Sequence, residues 1–142
     1  MVIRNIKQED MAQLALLYEQ FWGDKSDVEK MENEFEVIAK ENRHIILAAE
    51  KDGKIVASVM GVVCRELYGD CKPFLAVENM IVDNPYRRSG IGYRLLSELE
   101  SKARELNCTQ MILVTETDRV DACRFYEKYG FNKNNKGYKK KL

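Results

Sequence analysis

The 142-residue chain is 45% hydrophobic and 32% charged, a balance that excludes an intrinsically disordered segment and is ordinary for a globular protein. Lys plus Arg and Asp plus Glu both number 23, so there is no net positive field to draw nucleic acid or an anionic membrane. A chain of this length is expected to form one domain, residues 1–142, around one core. No apolar run is long enough for a membrane span, and no basic segment leads into an apolar one at the N-terminus, so a cytoplasmic location is expected.

Val2 to Ile6 reads as a strand. Gln8 to Phe21 carries Met11, Leu14, Leu17, Tyr18 and Phe21 at helical spacing. After "WGDKSD", Ser26 or Asp27 can cap a second helix reaching about Lys40, with Met31, Phe35, Ile38 and Ala39 on its apolar side. The stretch "HIILAAEKDGKIVASVMGVV" predicts two strands joined at Asp52 and Gly53. Another strand, Phe74 to Val82, follows the loop "RELYGDCKP". A helix from about Ser89 to Leu106 places Ile91, Leu95, Leu96, Leu99, Ala103 and Leu106 on one side. "MILVT" reads as a buried strand, Asp118 or Arg119 to Tyr129 as a helix stopped by Gly130, and the lysine-rich end as a final strand and tail. The order predicts an α/β fold: a mixed, mostly antiparallel central sheet with helices on both faces, containing one parallel strand–helix–strand crossover from Phe74 to Val114.

Four cysteines without a C-x-x-C pair and a single histidine argue against a metal site or a disulfide framework. Cys123 reads as a core or boundary residue, and His44 as structural.

The junction "VDNPYRRSGIGYRLLSELE" turns directly from a strand into a helix. Such a turn aims the first unpaired helical N–H groups, together with the positive end of the dipole, at one point, which suits a phosphate. Gly90 and Gly92 allow an anion close to the backbone, and Arg87 and Arg88 add charge. Glycines chosen only for packing are the alternative. A P-loop is excluded because Tyr93 and Arg94 follow Gly92, and a dinucleotide fingerprint because Leu95 stands where it needs a third glycine.

Arg87-Arg88-Ser89-Gly90-Ile91-Gly92 matches the R/Q-x-x-G-x-G/A motif of the GCN5-related N-acetyltransferases (GNAT), and "ACRFYEKYGF", Ala122 to Phe131, resembles that family's A-x-x-F-Y-E-K-x-G-F segment. The resemblance implies an acyl-CoA N-acyltransferase fold, acetyl-CoA as cosubstrate without a metal, and direct acetyl transfer to a primary amine. It implies that the pyrophosphate sits on the amides of Arg88, Ser89, Gly90, Ile91 and Gly92, with Arg87 beside them. It further implies that the pantetheine arm lies along Met80, Ile81 and Val82, with the Ile81 amide the leading candidate to polarise the thioester carbonyl, and that Tyr126 stands near the thiol. Arg119 replaces the Asn that many relatives carry before the second motif.

Glu78 is the one charged residue in the apolar run Phe74–Val82. Strict alternation would group it with Phe74, Ala76, Met80 and Val82, opposite Leu75, Val77, Asn79 and Ile81. It is the candidate base, a solvent-facing or paired carboxylate being the alternative. Tyr126 is the candidate acid, against a core aromatic. Expected partners are acetyl-CoA and an amine acceptor, with neither nucleic acid nor membrane, and a homodimer left open. Alternative functions are a catalytically silent acetyl-CoA sensor or interaction module, and a nucleic-acid or acidic-surface binder using Lys133, Lys136, Lys139, Lys140 and Lys141. The acidic run Asp24, Asp27, Glu29, Glu32, Glu34 and Glu36 points to a cationic acceptor such as an aminoglycoside, a polyamine or a lysine side chain, a merely exposed amphipathic helix being the alternative.

Overall fold

The computed structural model describes residues 1–142, which divide into two compact units, Met1–Ile112 and Leu113–Leu142. The first holds a five-stranded mixed sheet in sequential order: β1 (Val2–Asn5), β2 (His44–Lys51), β3 (Lys54–Cys64), β4 (Phe74–Val82) and β5 (Met111–Ile112). The first four run antiparallel and β5 joins β4 in parallel. Helices α1 (Met11–Trp22), α2 (Val28–Glu41) and α3 (Ile91–Glu105) complete this unit.

The predicted helices form for the predicted reasons, with local differences at their ends. A 3-10 turn at Gln8–Asp10 precedes α1, because the Asp10 carboxylate accepts from the Lys7 amide at 2.7 Å and from both Arg4 guanidinium termini at 2.7 and 2.9 Å. Asp27 caps α2 by accepting from the Lys30 amide at 3.1 Å. The β2–β3 connection is a two-residue turn with Asp52 and Gly53 both at positive φ, 51° and 74°, the conformation that matches strand twist.

Two cores form on opposite faces of the sheet. On one, Met11, Leu14 and Leu17 of α1 pack with Ile6, Ala48, Ile55 and Ile81. On the other, Leu95, Leu96 and Leu99 of α3 are fully buried, and Gly61 lies so close beneath Leu99 and Leu75 that an added Cβ would sit 2.8 Å from the Leu99 side chain. Leu106, expected on the apolar side, is half exposed beyond the end of α3.

β4 does not alternate strictly. Its register with β3 shifts between Ser58↔Ile81 and Met60↔Glu78, so Asn79 and Met80 both face Val59, and Asn79 takes a left-handed φ of 52°. The extra residue moves Ile81 to the α1 face while Leu75 stays on the α3 face. Glu78 therefore shares its face with Ile81 rather than with Met80 and Val82, a correction to the two-residue period. "MILVT" is corrected too: only Met111 and Ile112 pair, opposite Leu75 and Ala76, and Ile112 and Val114 are half exposed.

In the second unit α4 (Val120–Tyr129) ends at Gly130, whose amide donates to the Tyr126 and Glu127 carbonyls at 3.1 Å. The expected final strand does not form. Asn132 instead folds the chain locally, its side chain accepting from the Asn134 amide at 2.7 Å, the backbone-competing bond typical of asparagine.

Candidate functional site

β5 pairs with β4 only at Leu75 and Ala76, so the rest of β4 has no strand on that side. Ladder phase decides which backbone groups face the open side. The Asp83 amide donates to the Val56 carbonyl at 2.8 Å, and Ile81 opposite Ser58 lies two residues earlier in the same phase, so the Ile81 N–H and C=O are directed into β3. Met80 and Val82 face the other way. Consistently, the Val82 carbonyl accepts from Arg87 Nε at 3.1 Å. The expectation of an outward Ile81 amide is thus corrected: the bulge at Asn79 passes that place to Met80.

After Val82 the chain makes a 3-10 turn, Asn84–Tyr86, started by Pro85, and enters α3 through Arg87–Gly90. Arg88 and Gly90 have positive φ, 62° and 82°. Two such residues flanking Ser89 turn successive N–H groups inward as an anion-binding concavity, and a non-glycine residue held at positive φ is uncommon enough to mark a constrained segment. Gly90 is the N-cap without a side-chain cap. The first helical bond is the Arg94 amide to the Gly90 carbonyl at 3.1 Å, so Gly90, Ile91 and Gly92 present N–H groups that the helix cannot use. A Cβ built on Gly90 meets nothing within 4 Å, so the space beside Gly90 is open. Ser89 Oγ donates to the Tyr86 carbonyl, which steadies the turn. The amides, the open space and the arginines suit a diphosphate.

Residues outside both motifs hold this loop. Asp83 is 3% exposed; it accepts from Gln20 Nε2 of α1 at 2.9 Å and from Lys54 Nζ of β3 at 3.2 Å, while its carbonyl accepts from the Tyr86 amide at 2.8 Å. Gln20 Oε1 in turn accepts from the Asn84 amide at 3.3 Å. Burial pushes the Asp83 carboxyl up, but the Gln20 and Lys54 contacts outweigh it and hold the group below the usual carboxylate range. Sequence reading missed these residues; the signal available was an aspartate just before Asn-Pro, a turn-initiating position.

Glu78 is exposed on the strand before the bulge. In the second unit Tyr126 is half-buried, edge-on to Phe125 at 5.2 Å and to Phe131 at 5.8 Å. Burial raises its phenol above the ordinary value, with Arg119 opposing and Cys123 adding to the rise. Arg119 caps α4 by position, its carbonyl accepting from the Cys123 amide at 3.0 Å. His44 begins β2, with Nδ1 4.0 Å from Glu41. The terminal lysines are engaged locally: Lys139 pairs with Glu116, Lys133 lies 3.9 Å from Glu127, and Lys136 stands over the Tyr138 ring at 5.9 Å. No helix is long and apolar enough to cross a membrane.

Comparison with known proteins agrees with the fold. The uncharacterized protein YdhI of Bacillus subtilis (strain 168) is 30% identical over 84 residues, covering 59% of this chain and 47% of that protein; the chain thus spans about half the length of this curated relative. A putative acetyltransferase from Agrobacterium tumefaciens str. C58 superposes with a TM-score of 0.93 at 22% identity over 100% of both chains. Glucosamine-6-phosphate N-acetyltransferase from Arabidopsis thaliana does so with a TM-score of 0.88 at 22% identity, covering 99% of this chain and 97% of that one. The sheet with helices on both faces is therefore the GNAT fold. Residues 11–131 match the family model described as "Acetyltransferase (GNAT) family", and with most of its length matched the chain belongs to the GNAT acetyltransferases, whose cosubstrate is acetyl-CoA.

Proposed function

We propose that residues 1–142 act as one acetyltransferase domain that moves the acetyl group of acetyl-CoA directly to a primary amine, without an acetyl-enzyme. One observation carries the reading: the uncapped amides of Gly90, Ile91 and Gly92, behind left-handed Arg88 and Gly90, lie just after the open edge of β4. In this reading the loop from Arg87 to Gly92 takes the pyrophosphate and the outward groups of β4 hold the pantetheine arm. The Met80 amide then donates to the thioester oxygen as charge develops there.

Acetyl-CoA supplies the activated acyl group as a thioester. A lysine-like amine, pKa ~10.4, is neutral in only about one molecule in a few thousand at pH 7, so a proton must be removed before the nitrogen bonds the acetyl carbon. Glu78 is our candidate to accept it through water, being exposed on the strand that leads to Met80. Tyr126, whose raised pKa keeps the phenol protonated at neutral pH, is our candidate to donate to the sulfur as the C–S bond breaks. Asp24, Glu29 and Glu34 are exposed, which favours a cationic acceptor over a neutral one. Balanced charge and the absence of a membrane-crossing helix support a cytoplasmic setting without nucleic acid, and a homodimer remains compatible with it. A thiol-release assay of acetyl-CoA against a panel of cationic and neutral amines across a salt series tests the reading. Turnover favouring cationic amines at low salt is expected. Binding of acetyl-CoA without turnover on any amine would replace it with the silent sensor.

A further inference from the structure

The turn of the β2–β3 hairpin sets two like charges face to face. Lys51 and Lys54 are direct cross-strand partners on either side of Asp52 and Gly53, and like charges directly opposite each other destabilise a hairpin. Local chemistry does not ask for them, because Asp-Gly selects the turn whatever flanks it. A sequence that breaks a local rule points to compensation in the tertiary structure, often at a functional site.

That compensation lies in the segment between β4 and α3, where both lysines are engaged. Lys54 Nζ donates to the Asp83 carboxylate at 3.2 Å, from a side chain 62% exposed to one only 5% exposed. Lys51 Nζ stands over the Tyr86 ring, 5.3 Å from its centroid, within the range of a cation–π contact. Asp83 and Tyr86 are the two ends of one turn, closed by the Tyr86 amide donating to the Asp83 carbonyl at 2.8 Å. The loop beyond leans on that turn: the Tyr86 carbonyl accepts from Ser89 Oγ, and Ser89 sits between the left-handed Arg88 and Gly90. Gln20 holds Asp83 and Asn84 from α1; the hairpin adds a second grip on Asp83 and takes hold of Tyr86.

We propose that the β2–β3 hairpin is a two-cation clamp on the loop that receives the pyrophosphate, with Lys51 on Tyr86 and Lys54 on Asp83 as positioning residues for acetyl-CoA binding. The clamp rests on the fold alone, and its effect on acetyl-CoA rests on the acetyltransferase reading. Because it acts at the pyrophosphate end and not at the thioester, its loss raises KM for acetyl-CoA and spares kcat at saturation.

The test uses the full chain: parent, Lys51→Met, Lys51→Arg, Lys54→Met, Tyr86→Leu and the Lys51→Met/Tyr86→Leu double variant. Methionine keeps an unbranched apolar stem without the charge, while arginine keeps the charge and stacks on a ring. Lys51→Met should weaken coenzyme A binding in calorimetry, and raise KM for acetyl-CoA, by about two- to fivefold, the range one exposed cation–π contact carries. Its kcat should stay within about twofold of the parent's. Lys51→Arg should restore the parent's affinity, and Lys54→Met should weaken binding at least as much as Lys51→Met. With leucine at 86, Lys51→Met should have no further effect. Amide hydrogen exchange at residues 86–90, measured without ligand, should quicken in both methionine variants and not in Lys51→Arg. Exchange separates a clamp from simple attraction of an anionic coenzyme: weaker binding with unaltered exchange overturns the proposal, as does a Lys51→Met effect equally large with leucine at 86. A parent that binds no coenzyme A would end the acetyltransferase reading and leave the clamp to be decided by exchange alone. Should Lys54→Met fold poorly, the exposed Lys51 carries the same test.

Discussion

Gln20 grips Asp83 and its neighbour at once: its Nε2 donates to the Asp83 carboxylate at 2.9 Å and its Oε1 accepts from the Asn84 amide at 3.3 Å. Helix α1 is thereby tied to the first residues of the loop proposed to carry the pyrophosphate. Gln20→Ala removes both contacts and leaves a buried carboxylate short of a donor, which costs about 1–3 kcal/mol. Thermal melting should show that loss, and isothermal titration should show weaker coenzyme A binding as the loop slackens. An unaltered melting temperature would make the contact dispensable.

Acid should unfold the first unit through two aspartates. Arg4 hydrogen bonds lower the Asp10 carboxyl, and Asp83 is lowered by Gln20 and Lys54 against its burial. A depressed folded-state pKa stabilises the native state above the unfolded value of ~3.9, and that stability is lost as pH falls through the folded values. Denaturant unfolding from pH 6 to pH 2 should therefore show stability falling below about pH 4, less steeply in Asp10→Asn than in the parent. Equal slopes in both proteins would remove Asp10 from the account.

Gly90→Val tests the loop. Valine at φ 82° is strained by about 1–2 kcal/mol, and its side chain would stand in the open space beside Gly90. Calorimetry should show coenzyme A affinity reduced by at least about tenfold, more than strain alone explains. A folded variant binding as tightly as the parent would make the junction a packing turn.

Tyr126→Phe separates acid from scaffold. The phenol is uphill from a thiol of pKa ~8.5 by about 1.5 units or more, so it assists by hydrogen bonding rather than by complete transfer. General acid assistance is worth ~10² to 10⁴ in rate, and a conservative expectation is a kcat at least about tenfold lower. Coenzyme A affinity and melting temperature should stay near the parent's, because the ring contacts with Phe125 and Phe131 survive. Steady-state rates with one responsive amine and a melt read both halves. Lost stability with intact specific activity would assign Tyr126 to packing.

The amino-acid sequence by itself determined every element whose cause is local. Asp27 caps α2, Asp52-Gly53 selects the hairpin turn, and the periodic leucines of α3 mark its buried face, because each depends on residues within a few positions. The turn from β4 into α3 was legible for the same reason, since its glycines, arginines and helix start are contiguous. Only the tertiary structure decided the rest. Asn79 is left-handed at a bulge opposite Val59, and no strand-period rule contains that register shift. Ile81 changes face because apolar cores lie on both sides of the sheet, so either orientation buries it and the bulge selects one. The outward amide at Met80, the buried aspartate behind the loop and the short β5 all follow from side chains that become neighbours only when the chain has folded.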